Sequence, residues 1–276
     1  MFFITVSPVS TSSRRSPILC DLCIDEISSQ LLTVLFAAVV AAAPTSTQDL
    51  EARVVNPTKA RVTNVAANSA SANINDGVGA GVDSYTYYSG RAANFPLKSK
   101  WVSFGAMFTK YKTHMRMGCQ NNGWGPNDTE KQIQDIYNAI QSVSAASLVD
   151  HRYILAIVMQ ESVGCVWAPT TNNGVRNPGL MQSHNGATFN PSTAATQTSS
   201  IRQMIVDGTQ GTTSGDGLVQ YINRHGGYYA AARGYNSGSI ARDGNLSNGN
   251  GATPCYVSDV ANRLTGWLNA PSKCRN

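Results

Sequence analysis

One carboxylate in this chain sits where ordinary folding rules would not put it. Residues 150–165 run Asp-His-Arg-Tyr-Ile-Leu-Ala-Ile-Val-Met-Gln-Glu-Ser-Val-Gly-Cys, and residues 153–159 are almost wholly apolar. Asp150 is suited to cap a helix there and Gly164 to stop it. Glu161 then falls in the last turn of a helix buried on nearly all sides. An acid is disfavoured at a helix C-terminus, and burial raises a carboxyl pKa. Only two glutamates follow residue 54, Glu130 and Glu161. Glu130 has an ordinary role, because Asn127-Asp128-Thr129-Glu130 has the form of a capping box. Glu161 has none. A carboxylic acid held protonated near neutral pH is what general-acid catalysis requires. The bland alternative is a buried ion pair with Arg176 or Arg233.

The elements around this stretch follow from spacing. Ser103 is placed to cap a helix whose apolar face is Phe104, Met107, Phe108 and Tyr111. Ile133, Ile136, Tyr137, Ile140 and Val143 recur at helical spacing. Gly179-Leu180-Met181-Gln182 follows Pro178 and is expected to start a short helix. Further helices are expected over 200–206, stopped by Gly208, over 217–224 and over 228–236. A last one carries Tyr256, Val257, Val260, Leu264, Trp267 and Leu268. Residues 237–252 are a Gly/Asn/Ser-rich loop. Strand signals are scarce, so the expected class is mostly α.

Residues 31–43 are apolar except for Thr33 and end in Ala41-Ala42-Ala43-Pro44. That has the form of a signal-peptide core with a small-residue cleavage site, and it is too short for a comfortable membrane span. The expected organisation is a leader over 1–43, a pro-segment or flexible arm over 44–84, and a single domain over 85–276. Secretion is expected, without stable membrane association, and the chain is expected to act as a monomer.

Cys20 and Cys23 fall in the leader and have no matching second pair. Cys119, Cys165, Cys255 and Cys274 remain. Four cysteines in a secreted domain imply two disulfides, with three connectivities open. Pairing sequence neighbours, Cys119 with Cys165 and Cys255 with Cys274, is preferred. Asn127-Asp128-Thr129 and Asn245-Leu246-Ser247 are glycosylation sequons. From residue 54 the chain has 18 Lys/Arg against 11 Asp/Glu, a net +7. That favours polyanionic surfaces, with bacterial cell wall and nucleic acid as candidates. No Lys/Arg block or nucleic-acid motif occurs, and a nucleic-acid partner is not expected. His114, His151, His184 and His225 lack metal-ligand spacing, so neither metal nor cofactor is expected.

Glu161-Ser162, Gly179-Leu180-Met181-Gln182, Gly234-Tyr235-Asn236-Ser237-Gly238 and Tyr256-Val257 occur in that order. Together they resemble the lytic transglycosylase and goose-type lysozyme family over residues 127–268, and the chain looks like a secreted fungal member. The resemblance implies a lysozyme-like α-rich fold with a substrate groove. It implies Glu161 as general acid, supported by Ser162. It implies Met181 and Gln182 lining the glycan groove, Tyr235 and Asn236 around the acid and the scissile sugar, and Tyr256 near the catalytic carboxyl. Two departures stand out. Gly234 replaces the family's usual Ala, and Ser183-His184 replaces an apolar continuation.

Ordinary glycosidases use two carboxyls, yet residues 162–206 contain no acid. The family's transglycosylases use one Glu, first as acid and then as base, and release a 1,6-anhydro sugar. Asp207 or Asp216, if folded close, would permit water-dependent hydrolysis instead. The expected activity is cleavage of β-1,4-linked N-acetylhexosamine glycans, peptidoglycan foremost, with chitin or chitosan as variants. A non-catalytic glycan-binding protein is the alternative of a different class. A secreted effector or nuclease using the basic charge is a third.

Overall fold

The computed structural model describes residues 60–64 and 70–274. The expected leader, with Cys20 and Cys23, lies outside them. The described chain is helix-rich. It has seven α-helices: α1 Phe104–Asn121, α2 Glu130–Ser147, α3 His151–Ser162, α4 Ala194–Gln210, α5 Leu218–His225, α6 Tyr228–Ser237 and α7 Tyr256–Thr265. The sheet content is one antiparallel pair of two-residue strands, β1 Thr171–Asn172 and β2 Arg176–Asn177.

α3 is the axis of the core. Every residue from 153 to 159 is fully buried, which explains why the run lacks a polar face. It packs against α7, α2, α1 and α4. Asp150 caps it, its side chain accepting from the Arg152 N–H. Ser103 caps α1. Around α3, Phe104, Met107, Phe108 and Tyr111 of α1 are buried, as are Ile133, Ile136, Ile140 and Val143 of α2.

Three local expectations are corrected. The α2 cap is Thr129, paired reciprocally with Gln132, so Glu130 is the first helical residue and its carboxylate bonds Arg116. Gly179-Leu180-Met181-Gln182 forms a turn instead of a helix, closed by Gln182 N–H to Gly179 O and Ser183 N–H to Pro178 O. Gly179 and Gln182 both have left-handed backbones, φ 77° and 46°, which no helix accommodates. Gly208 does not stop α4. It lies inside that helix, where a Cβ would come 2.4 Å from Cβ of Met181. The glycine is there for close approach, and α4 continues to a cap at Gly211.

Residues 60–64 and 70–84, expected to be an arm outside the domain, lie on it instead. Val62 is buried and its N–H donates to Ser147 O. Val78 N–H donates to Trp101 O, and Ile74 O accepts from Gly105 N–H. The segment has too little apolar content for a core of its own, so it borrows the helices' core and satisfies backbone groups at their ends. Cys119 pairs with Cys165 and Cys255 with Cys274, at Cα separations of 5.2 and 5.9 Å. Among the described residues, no helix is long and apolar enough to cross a membrane.

Candidate functional site

α3 carries Glu161 in its final turn and then breaks sharply. Val163 and Gly164 both adopt left-handed backbone, φ 56° and 76°. For a β-branched valine that conformation is strained. At Gly164 a Cβ would approach Met115 Cγ to 2.7 Å, so glycine is required. The Cys119–Cys165 disulfide fixes the chain immediately after this break to α1.

The Glu161 carboxyl is half-buried between α7 and α6. Tyr256 of α7 donates its phenol hydrogen to Oε1 at 2.5 Å. Burial pushes the Glu161 carboxyl up to about 7, and the Tyr256 hydrogen bond pulls the other way. Among the described residues, no cation offsets the burial. Arg176 bonds Gly186 O, and Arg233 bonds Leu246 O, Thr253 O and Asn236 Oδ1, so the buried ion pair is not formed. Tyr235 of α6 stands on the other flank. Burial raises its phenol well above the ordinary value, and the Glu161 charge adds to that. Its hydroxyl donates to Met181 O at 2.7 Å.

The remaining candidate residues build the surroundings. Ser162 is fully buried, and its hydroxyl lies 3.0 Å from Val158 O and 2.8 Å from Leu180 O. It therefore clamps the Gly179–Gln182 turn to α3. Met181 is also fully buried, its side chain against Gly208. Only its carbonyl takes part, through Tyr235. The Gln182 amide is committed at both ends: it accepts from Thr171 Oγ1 at 2.8 Å and donates to Pro169 O and Gly179 O. Asn236 receives the Arg233 guanidinium. Glu161, Tyr235 and Tyr256 thus form the group that can do chemistry, while Ser162, Met181 and Gln182 hold its frame.

Neither candidate second carboxylate acts on Glu161. Asp207 accepts from Ala187 N–H and from Gln203 Nε2, both at 2.7 Å, and its charge reaches Tyr235. Asp216 pairs with Arg224 at 2.6 Å. Among the described residues, two groupings have the composition of metal ligands, Cys119/Asp128/Cys165 and Asp76/Asp150/His151. In the first the sulfurs are joined in the disulfide. In the second, Asp150 is bound to Arg152 and Lys98 while His151 and Asp76 bond each other.

Several contributors escaped the reading by residue type. Gln160 beside the acid donates to Asp259 Oδ2 at 3.3 Å and accepts from Arg263 Nε at 2.9 Å, and Tyr85 donates to Asp259 Oδ1 at 2.6 Å. This lattice locks the last turn of α3 to α7. Tyr221 of α5 lies edge-on to Tyr235, ring centroids 6.3 Å apart. At Gly234 a Cβ would come 2.5 Å from Tyr221 Cδ1, which accounts for a glycine at that position. Comparison with protein-family models, with curated proteins and with solved structures finds no match.

Proposed function

We propose that this chain is a secreted glycan-cleaving enzyme acting on β-1,4-linked N-acetylhexosamine polymers, peptidoglycan first, with Glu161 as its single catalytic carboxyl. The lysozyme-like arrangement, a substrate groove beside Glu161 and an extracellular location belong to the same proposal. One observation carries it: a carboxyl pushed up to about 7 by burial, with no cation to pair it, held by a phenol at 2.5 Å. Near neutral pH such a group exists in both protonation states, which suits it to give a proton and then take one.

In the cleavage step Glu161 donates its proton to the glycosidic oxygen as the C1–O bond breaks. Tyr256, donating to Oε1, stabilises the carboxylate left behind. Glu161 then removes the proton from the sugar's own 6-hydroxyl as that oxygen closes on C1. The products are a 1,6-anhydro end and a free 4-hydroxyl, and no water is consumed. Asp207 and Asp216, the two candidate second carboxylates, are committed to Ala187, Gln203 and Arg224, which supports this course over hydrolysis. The net basic charge suits a polyanionic wall.

Mass spectrometry of fragments released from purified peptidoglycan tests the reading. Anhydro-ended fragments that vanish in Glu161→Gln are expected. Reducing ends would replace the anhydro chemistry with hydrolysis and turn attention to Asp207. Intact peptidoglycan, chitin and chitosan would leave only glycan binding.

A further inference from the structure

We propose that Tyr221 is a substrate-contacting aromatic of this site, a platform for a pyranose ring next to the glycosidic bond that Glu161 protonates. The proposal rests on the glycan-cleaving reading. Three observations place it. Leu218, Val219 and Ile222 are the buried residues of α5, so they anchor that helix, whereas Tyr221 stays half-exposed. Its ring lies against the α6 backbone at Gly234, where any side chain would collide with it. It meets Tyr235 edge-on at 78°, and Tyr235 in turn lies within the field of Glu161. Tyr235 is tied to α3 by its bond to Met181 O, next to the Leu180 O that meets Ser162, so contacts run from Tyr221 on α5 through Tyr235 on α6 to the turn of α3 that carries Glu161.

The orientation of the ring is braced from its own helix. His225 lies nearly parallel to it, at 9° and 6.2 Å between centroids. The Arg224 guanidinium sits 5.2 Å from the ring centre and is itself held by Asp216. A rigid, partly exposed aromatic costs little conformational entropy on binding, and it offers an apolar face with a polar tip. The C–H face of an N-acetylhexosamine is the matching surface.

Binding of the N-acetylglucosamine pentamer to the Glu161→Gln protein, by calorimetry, tests this without turnover. Adding Tyr221→Ala should weaken binding about tenfold or more, equivalent to about 1.4 kcal/mol. Tyr221→Trp should stay within about threefold of the parent. Gly234→Ala, which displaces the ring without removing it, should fall between them, and it serves as the test if Tyr221→Ala does not fold. In the active enzyme Tyr221→Ala should raise KM more than it lowers kcat. Unchanged affinity in folded Tyr221→Ala and Gly234→Ala proteins would overturn the platform and leave the enzyme standing if wild type still cleaves. No binding by the parent would overturn the platform, and no cleavage by wild type would separately overturn the enzyme.

Discussion

The two ends of α3 each take an acid out of water, Asp150 wholly and Glu161 in part, and they are opposite in electrostatics. At the first turn, Asp150 is fully buried and takes hydrogen bonds from Arg152 Nε and a terminal guanidinium nitrogen, at 3.0 and 2.6 Å, with Lys98 at 3.1 Å. These cations hold its carboxyl below the ordinary value against the opposing effect of burial. His151 bonds Asp76 and stacks on Phe104. A cavity of about 420 Å³ opens there, lined in part by Asp76, Lys98 and Arg152, yet its charges already answer one another. At the last turn, roughly 16 Å along the axis, Glu161 has only a neutral phenol, and its carboxyl is pushed up to about 7. A buried acid with cations is a structural fixture. A buried acid without them remains available for proton transfer, and this contrast, more than cavity size, supports the proposed role of Glu161.

Breaking the paired end should have the larger effect. Asp150→Ala removes the helix cap and leaves Arg152 buried with its main carboxylate gone. A loss of about 3–5 kcal/mol is expected in denaturant unfolding. Asp150→Asn, which can still cap, should recover about 1 kcal/mol of that. A loss below about 1 kcal/mol for Asp150→Ala would mean that the paired end is no more than a solvated surface bridge.

The unpaired end should respond in the opposite sense. The Glu161 carboxyl stands at about 7 in the folded chain against its ordinary 4.5. The folded state therefore binds more protons between those values, and its stability falls as pH rises from about 4.5 to about 7, then levels off. Glu161→Gln removes that loss. The variant should match wild type near pH 4 and exceed it by about 3 kcal/mol near pH 8. Asp128, also pushed up to about 7 by burial, slopes the same way in both proteins, so their difference isolates Glu161. Equal stability at both pH values would show that Glu161 is not held protonated, and the general-acid role would go with it.

How much of this could be seen in the residues depends on the range of the force involved. The α3 run, its Asp150 cap and the helical faces of α1 and α2 are set by local periodicity and capping, and they are legible. The oddity of Glu161 is legible for the same reason, since it violates local rules. Gly208 looks like a stop when seen locally, whereas the approach of Met181 from another segment decides its role. The capping pattern can be registered two residues apart, ending on Glu130 or on Gln132, and only the fold chooses between them. Ser162 and Met181 lie within the motifs, but motif membership does not distinguish a residue that meets ligand from one buried beneath it. Tyr221 carries no local signal at all. Only the packing of α5 on α6 shows that Gly234 exists to receive it.

The finest test of the contrast lies in the one hydrogen bond Glu161 has. Tyr256 donates to the carboxylate and so favours its ionised form. Tyr256→Phe should raise the Glu161 pKa by ~1, about 1.4 kcal/mol, and move the alkaline limb of activity up with it. Carbon-13 NMR of the glutamate side chains can read this directly, because the chain has only Glu26, Glu51, Glu130 and Glu161. Glu161→Gln assigns the signal. A pKa that stays put in Tyr256→Phe would mean the phenol serves both protonation states equally, as a spacer would. A pKa that falls would mean it had been stabilising the protonated acid. Only a rise agrees with Tyr256 as the group that steadies Glu161 after it has given up its proton.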